Sequence, residues 1–237
     1  MNTKEKLNST NGSSRGTDRN IPRLIGAAFL LQAVASAIVG LGLIEPLKVS
    51  GDIVSTMTNF SNNAMLVRVG ILVEMVTVTA LVILSVLLYL ALKGHNRKVA
   101  FVALGLRLTE VALLAVSRIL TFAFLSTSQA FAMEGNPAYL QTIGNILFET
   151  QNTAYSLNMI FFTLGGTIFY VLLFQSRFVP RWLATFGLIA APLAFIGEFL
   201  TLLGFAVPLW VFIPNLPFEL TIGLWLLLKG ANNIEDA

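Results

Sequence analysis

The sequence predicts an all-α polytopic bundle of six membrane-spanning helices with both termini in the cytoplasm. Three observations carry this reading. Of 237 residues, 56% are hydrophobic and only 11% charged, with a mean hydropathy of +0.79. A soluble domain carries roughly a quarter charged residues, because these keep its surface in water. Six apolar runs reach the about 20 residues that a helix needs to cross a bilayer. Basic residues, finally, collect in alternate connections, as the positive-inside rule requires of cytoplasmic ones.

The elements follow in order. Residues 1–20 are polar, rich in Ser, Asn, Thr and Gly, and lack apolar periodicity; they are expected to be a disordered cytoplasmic tail. Residues 21–231 form the six-helix transmembrane domain, with spans near 24–44, 66–92, 99–127, 152–176, 182–204 and 209–229. Residues 232–237 are a short cytoplasmic tail. Helices suit these runs because lipid offers the backbone no hydrogen-bond partners. Lys4, Lys6, Arg15, Arg19 and Arg23 precede span one; Lys93, Arg97 and Lys98 follow span two; Arg177 and Arg181 follow span four; Lys229 closes span six. The other connections hold only Lys48, with Arg68 at the outer rim of span two. Residues 45–65 read as a polar outer loop, and 128–151 as a loop whose Leu140, Ile143, Ile146 and Leu147 suit a short interfacial helix. Trp182 and Trp210 sit near predicted interfaces, where an amphipathic ring is favoured. A competing reading makes Arg23 and the following run a signal peptide cleaved near Ala33-Val34-Ala35 or Ala35-Ser36-Ala37. The run continues to Ile44, however, and cleavage leaves an odd count of five spans.

Composition excludes several chemistries. With no cysteine there is no disulfide, thiolate site or cysteine nucleophile. The single histidine, His95, lies in a basic connection, so a histidine cluster for zinc or a bis-histidine haem is excluded. No lysine lies at membrane depth for a retinal Schiff base, and no phosphate-binding glycine loop is present. A net charge of +3 argues little for nucleic acid. No cofactor or metal site is expected.

The informative residues are ionisable groups at membrane depth, where a central charge costs roughly 2.5–3.5 kcal/mol on an insertion scale. Span two carries Glu74, span three Arg107, Glu110 and Arg118, span five Glu198, and span six Glu219. Arg107 and Glu110 are three residues apart, and Arg118 returns to their face after about three turns. The result is one polar stripe, continued by Thr121. At about 1.5 Å per residue, Glu110 and Glu219 fall near the midplane. Glu74, Arg118 and Glu198 fall in the outer half, which makes Arg118 the natural partner of Glu74 or Glu198. Four glutamates outnumber the arginines, even counting Arg68. Neutrality therefore needs a proton, a bound cation or a charge from a partner subunit.

Span six adds Pro214, Asn215 and Pro217 ahead of Glu219. Each proline lacks an N–H, so carbonyls near Trp210 and Ile213 lose their usual donors. One reading is a broken helix that offers carbonyls, Asn215 and Glu219 to a ligand; the other is a plain kink or a short helix entry. Gln32 and Asn158 are candidates for interhelical hydrogen bonds, and Gly165 and Gly166 for close helix contact.

Several patterns then combine in order: Arg68-Val69-Gly70-Ile71 with Glu74; Arg107-Leu108-Thr109-Glu110; Ser176-Arg177-Phe178-Val179-Pro180-Arg181-Trp182-Leu183; Gly197-Glu198; and Pro217-Phe218-Glu219 with Trp225-Leu226 and Lys229-Gly230. On these the chain resembles, over residues 22 to 231, a bacterial multi-pass membrane family known as domain-of-unknown-function family 4386. The resemblance implies a helical membrane domain, and no catalytic residue is carried over from it.

The expected function is therefore that of a small transporter-like or ligand-sensing protein of the bacterial cytoplasmic membrane. Its polar core comprises Glu74, Arg107, Glu110, Arg118, Glu198, Asn215 and Glu219, with Arg68 at the outer rim. The bilayer is its surroundings, and a proton, cation or small solute its candidate ligand. The alternative is a non-transporting scaffold or accessory subunit, in a homo-oligomer or with a partner subunit, whose buried charges are structural ion pairs. An enzyme ranks third.

Overall fold

The computed structural model describes the backbone of residues 3–231 and the side chains of residues 20–231. The described residues are helical, with no strand. Helix α1 (Thr3–Ile38) ends in a π turn, Val39–Leu43, and a 3-10 turn, Glu45–Leu47. Then follow α2 (Ile53–Asn62), α3 (Ala64–Met133), α4 (Ala138–Ser176), α5 (Arg181–Leu202), a 3-10 turn at Leu209–Val211, and α6 (Asn215–Lys229). The backbone of α1 is thus helical well before the first predicted span. The side chains of the segment read as a disordered tail lie, up to residue 19, outside the described residues, as does the 232–237 tail.

Five helices are long and apolar enough to cross a membrane. One of them, α3, runs for 70 residues and breaks at Asn96, whose φ of −151° and ψ of 97° are not helical. Its arms, 64–95 and 97–133, make six spans in all. Asn96 lies among Lys93, Arg97 and Lys98, where the sequence predicts the connection. Its side-chain oxygen accepts from the Val99 amide at 3.2 Å, a cap that starts the second arm. The arms fold back on each other, as the Tyr89 and Phe101 rings show at 6.2 Å.

The first and last spans meet closely. A Cβ on Gly26 of α1 would stand 2.5 Å from the Leu227 nitrogen of α6, and one on Gly223 would stand 2.8 Å from Leu30. Only glycine permits this approach, which matters in lipid because helix association there rests on van der Waals packing. The entry of α1 and the exit of α6 therefore share one end of the bundle, with the 93–98 and 177–180 connections. That half is solid: Ile25, Phe29, Leu84, Leu88, Phe169, Leu173, Leu183, Phe218 and Leu226 form one buried cluster. Phe218 is locked edge-on between Tyr170 and Phe186, at 4.7 and 5.6 Å.

The opposite end departs from the sequence reading. Residues 45–65 are not a plain polar loop, and 128–151 contain no separate interfacial helix. The second arm of α3 continues to Met133, a tight turn with φ of +76° at Gly135 and +64° at Asn136 reverses the chain, and α4 begins at once. Its 39 residues exceed the about 20 that span a bilayer. The surplus turns pack with α2 and the turns after α1 into a cap, whose core is Val39, Ile44, Met57, Phe60, Phe124, Phe131 and Leu140. Of the apolar residues of 128–151, Phe131, Leu140, Leu147 and Phe148 pack in this core, while Ile143 and Ile146 stay exposed. Asp52 starts α2 by accepting from the Ser55 amide at 2.9 Å and the Ser55 hydroxyl at 2.5 Å. The Ser55 hydroxyl and amide hold the Asp52 carboxyl below its ordinary value.

Candidate functional site

Between the solid half and the cap end lies a cavity of about 510 Å³, walled by α1, both arms of α3, α4 and the 209–219 segment. Its size is in the range of small-molecule sites, about 300–1,000 Å³. Three carboxylates line it: Glu74 from the first arm of α3, Glu110 from the second, and Glu219 from α6. No lysine or arginine does.

Glu110 is the paired one. Its carboxylate lies 3.0 Å from the Arg107 guanidinium, with both side chains at most 3% exposed. The contact is ionic, since the geometry leaves that oxygen without a hydrogen bond. Arg107 also donates to the Phe162 carbonyl at 3.5 Å and lies 4.9 Å from the Phe162 ring centroid. Gly165 makes room for it: a Cβ there would meet the Arg107 side chain at 2.9 Å. Asn158 of α4 donates to the Glu110 carbonyl at 2.8 Å, which ties α4 to α3 at this level.

Arg118, Thr121 and Ser117 are buried on the stripe that the helical spacing predicts. Arg118 is within electrostatic reach of Glu74, but the ion pairs among the described residues are Arg107–Glu110 and Lys48–Glu45. Its guanidinium instead lies 5.6 Å from the Tyr155 ring centroid, and its Nε has no hydrogen-bond partner. Glu198 is buried but stands apart from the cavity, facing Ser156 of α4. Arg68 is exposed near the start of α3. The structure thus brings Glu74, Glu110, Asn215 and Glu219 to one wall, and places Arg107, Arg118, Glu198 and Arg68 off it.

The prolines of span six resolve as a helix entry. Pro214 precedes α6 and Pro217 sits in its first turn, where a missing N–H is tolerated because that amide lacks a partner in any helix. Asn215 donates to the Phe212 carbonyl at 3.4 Å, and both Asn215 and Glu219 face the cavity one turn apart.

Sequence reasoning missed part of the lining. Thr77 and Ser36 join the wall; each follows a polar residue by three or four positions, Glu74 and Gln32, so helical spacing was the available signal. Gln32, read as an interhelical donor, faces Glu219. Yet its Nε2, the Thr77 hydroxyl and Glu219 Oε1 have no hydrogen-bond partner, although all three residues are at least nine-tenths buried. Buried polar groups are ordinarily satisfied; these three unsatisfied atoms belong to residues that line the same cavity.

Against known proteins, neither a curated protein nor a solved structure matches the chain. A family model matches residues 24–230, nearly the whole membrane domain. With its apolar helices and buried charges, this chain belongs to the domain of unknown function family DUF4386.

Proposed function

We propose that the protein is a ligand-responsive component of the cytoplasmic membrane, a sensor or small transporter, in which protons or cations act at the cavity carboxylates. The observation that carries this is the cavity itself: three glutamates, no lining cation, and three buried polar atoms without partners. Intramembrane carboxylates facing a cavity are by default functional. The solid cluster below the Arg107–Glu110 level favours access from the cap end. The basic connections, at the end opposite the cap, support cytoplasmic termini and an outward-facing cavity.

A scaffold or accessory subunit is the second reading. Arg107, which donates to the Phe162 carbonyl, and Arg118, against Tyr155, tie α3 to α4 in the manner of helix-locking contacts.

Thermal unfolding in uncharged detergent separates the two. Wild type, Glu219→Gln and Glu110→Gln are scanned across pH and a panel of cations and small solutes. A ligand present at 100 times its Kd adds about 2.7 kcal/mol to the folded state. A pH- or cation-dependent rise in Tm that Glu219→Gln removes supports the carboxylate site. A flat wild-type response, with both substitutions merely destabilising, leaves the scaffold.

A further inference from the structure

We infer that the cavity takes an amphipathic organic cation, which enters sideways from the bilayer between α1 and α6. The inference rests on the carboxylate site proposed above and names its ligand class.

Three observations point to this class. The first is charge: the wall offers Glu74, Glu110 and Glu219 with no lining lysine or arginine. Arg107 is engaged behind Glu110, Arg118 lies behind Tyr155, and α1 contributes no charge. The second is spread. Among the described residues no three acidic or histidine side chains are close enough to hold a metal ion, and about 510 Å³ is far more space than a bare ion fills. The orphaned Gln32 Nε2, Thr77 hydroxyl and Glu219 Oε1 mark the polar floor.

The third is the doorway. Ala33, Ala37, Leu41 and Leu216 line both the cavity and an adjoining apolar groove between α1 and α6. The groove's outer face carries Val34 and Ile38, each 48% exposed within a spanning helix, the part of the chain that lipid covers. Between the two spaces the side chains at 33 and 37 are only methyl groups, and the π turn at Val39–Leu43 ends α1 at the groove's rim. An amphiphile would slide its apolar body along this groove and bring its positive group to Glu74 and Glu219. Phe212, also in the wall, supplies an aromatic face of the kind that attracts organic cations.

The test uses tetraphenylphosphonium as probe and tetraphenylborate, its near-isosteric anion, as control, by equilibrium dialysis of purified full-length protein in uncharged detergent. Saturable binding of the cation alone is expected. Glu74→Gln and Glu219→Gln should each weaken it about tenfold, the scale of one lost charge-assisted contact. Ala37→Phe, which narrows the doorway, should slow the cation's approach to that equilibrium several-fold; an unchanged rate overturns the sideways route. Equal uptake of both ions, or cation uptake unchanged in the two glutamine variants, overturns the inference. No cation binding alongside a Glu219-dependent response to pH or inorganic cations overturns the inference alone. Neither binding nor response overturns the site proposal as well. Should Ala37→Phe not fold, the ion pair of probes and the glutamine variants still decide.

Discussion

The two halves of the bundle are made from the same apolar residue types and end up different. Toward the basic end, side chains from α1, α3, α4, α5 and α6 interdigitate into a closed cluster, and glycines at 26, 187 and 223 let backbones and rings meet. Toward the cap end, α1, α3, α4 and the 209–219 segment, without α5, surround a hole floored by acidic and amide groups. Lipid supplies no hydrophobic drive between helices, so the solid half is held by contact alone. The hollow half forgoes that contact around the cavity. The cap beyond is a third environment, in which α2 and the surplus turns of α3 and α4 bury an apolar core together with the ends of the spans.

The largest effect is expected at the boundary between the halves. Arg107→Leu leaves Glu110 buried without its counter-charge and should cost about 3–5 kcal/mol, the usual penalty for breaking a buried pair from one side. Adding Glu110→Gln should recover most of it. Denaturant unfolding in detergent reads both; a near-neutral single variant would mean the pair does not hold the floor.

A smaller effect sharpens the contrast directly. Leu84 is fully buried in the solid cluster, whereas Leu114 lines the cavity. Leu84→Ala should fall toward the low end of the roughly 2–5 kcal/mol typical of such changes, because the unfolded side chain would still lie in lipid. Leu114→Ala should cost clearly less, since it enlarges an existing void whose lining already lacks partners on one side. Equal losses at the two positions would show that the cavity is packed in solution.

The smallest effect lies in the cap. The folded Asp52 carboxyl titrates below its ordinary value of 3.8, through its Ser55 bonds. Its contribution is therefore present above that value and fades as pH falls through the lower, folded one. Hydrogen exchange at the first turn of α2 should quicken over that acid range in wild type, while Asp52→Asn should show no such pH step. A step that survives the substitution would assign it to another group.

Part of this was legible in the sequence. Arg107, Glu110, Arg118 and Thr121 share a buried face because 3.6-residue periodicity is local. The reversal near 93–98 was marked by its charges, though not its single-residue sharpness, since one extended Asn between two good helices leaves no compositional trace. The 128–151 segment divides in a way its letters do not mark: Leu140 and Leu147 turn to the cap, while Ile143 and Ile146 stay exposed. Nor do they mark Arg118, whose depth matches Glu74 but whose guanidinium turns to Tyr155, a choice of rotamer and neighbour.

By itself the sequence determined the apolar helices long enough to cross a membrane, which connections are basic and which charges fall within those helices. These follow from the cost of moving a backbone or charge into lipid, a cost set residue by residue. Only the tertiary structure decided that Glu110 is paired while Glu74 and Glu219 are not, and that a cavity separates α1 from α6 above the Gly26–Gly223 contact. Those outcomes depend on how helices distant in sequence fit shape against shape, which no local pattern encodes.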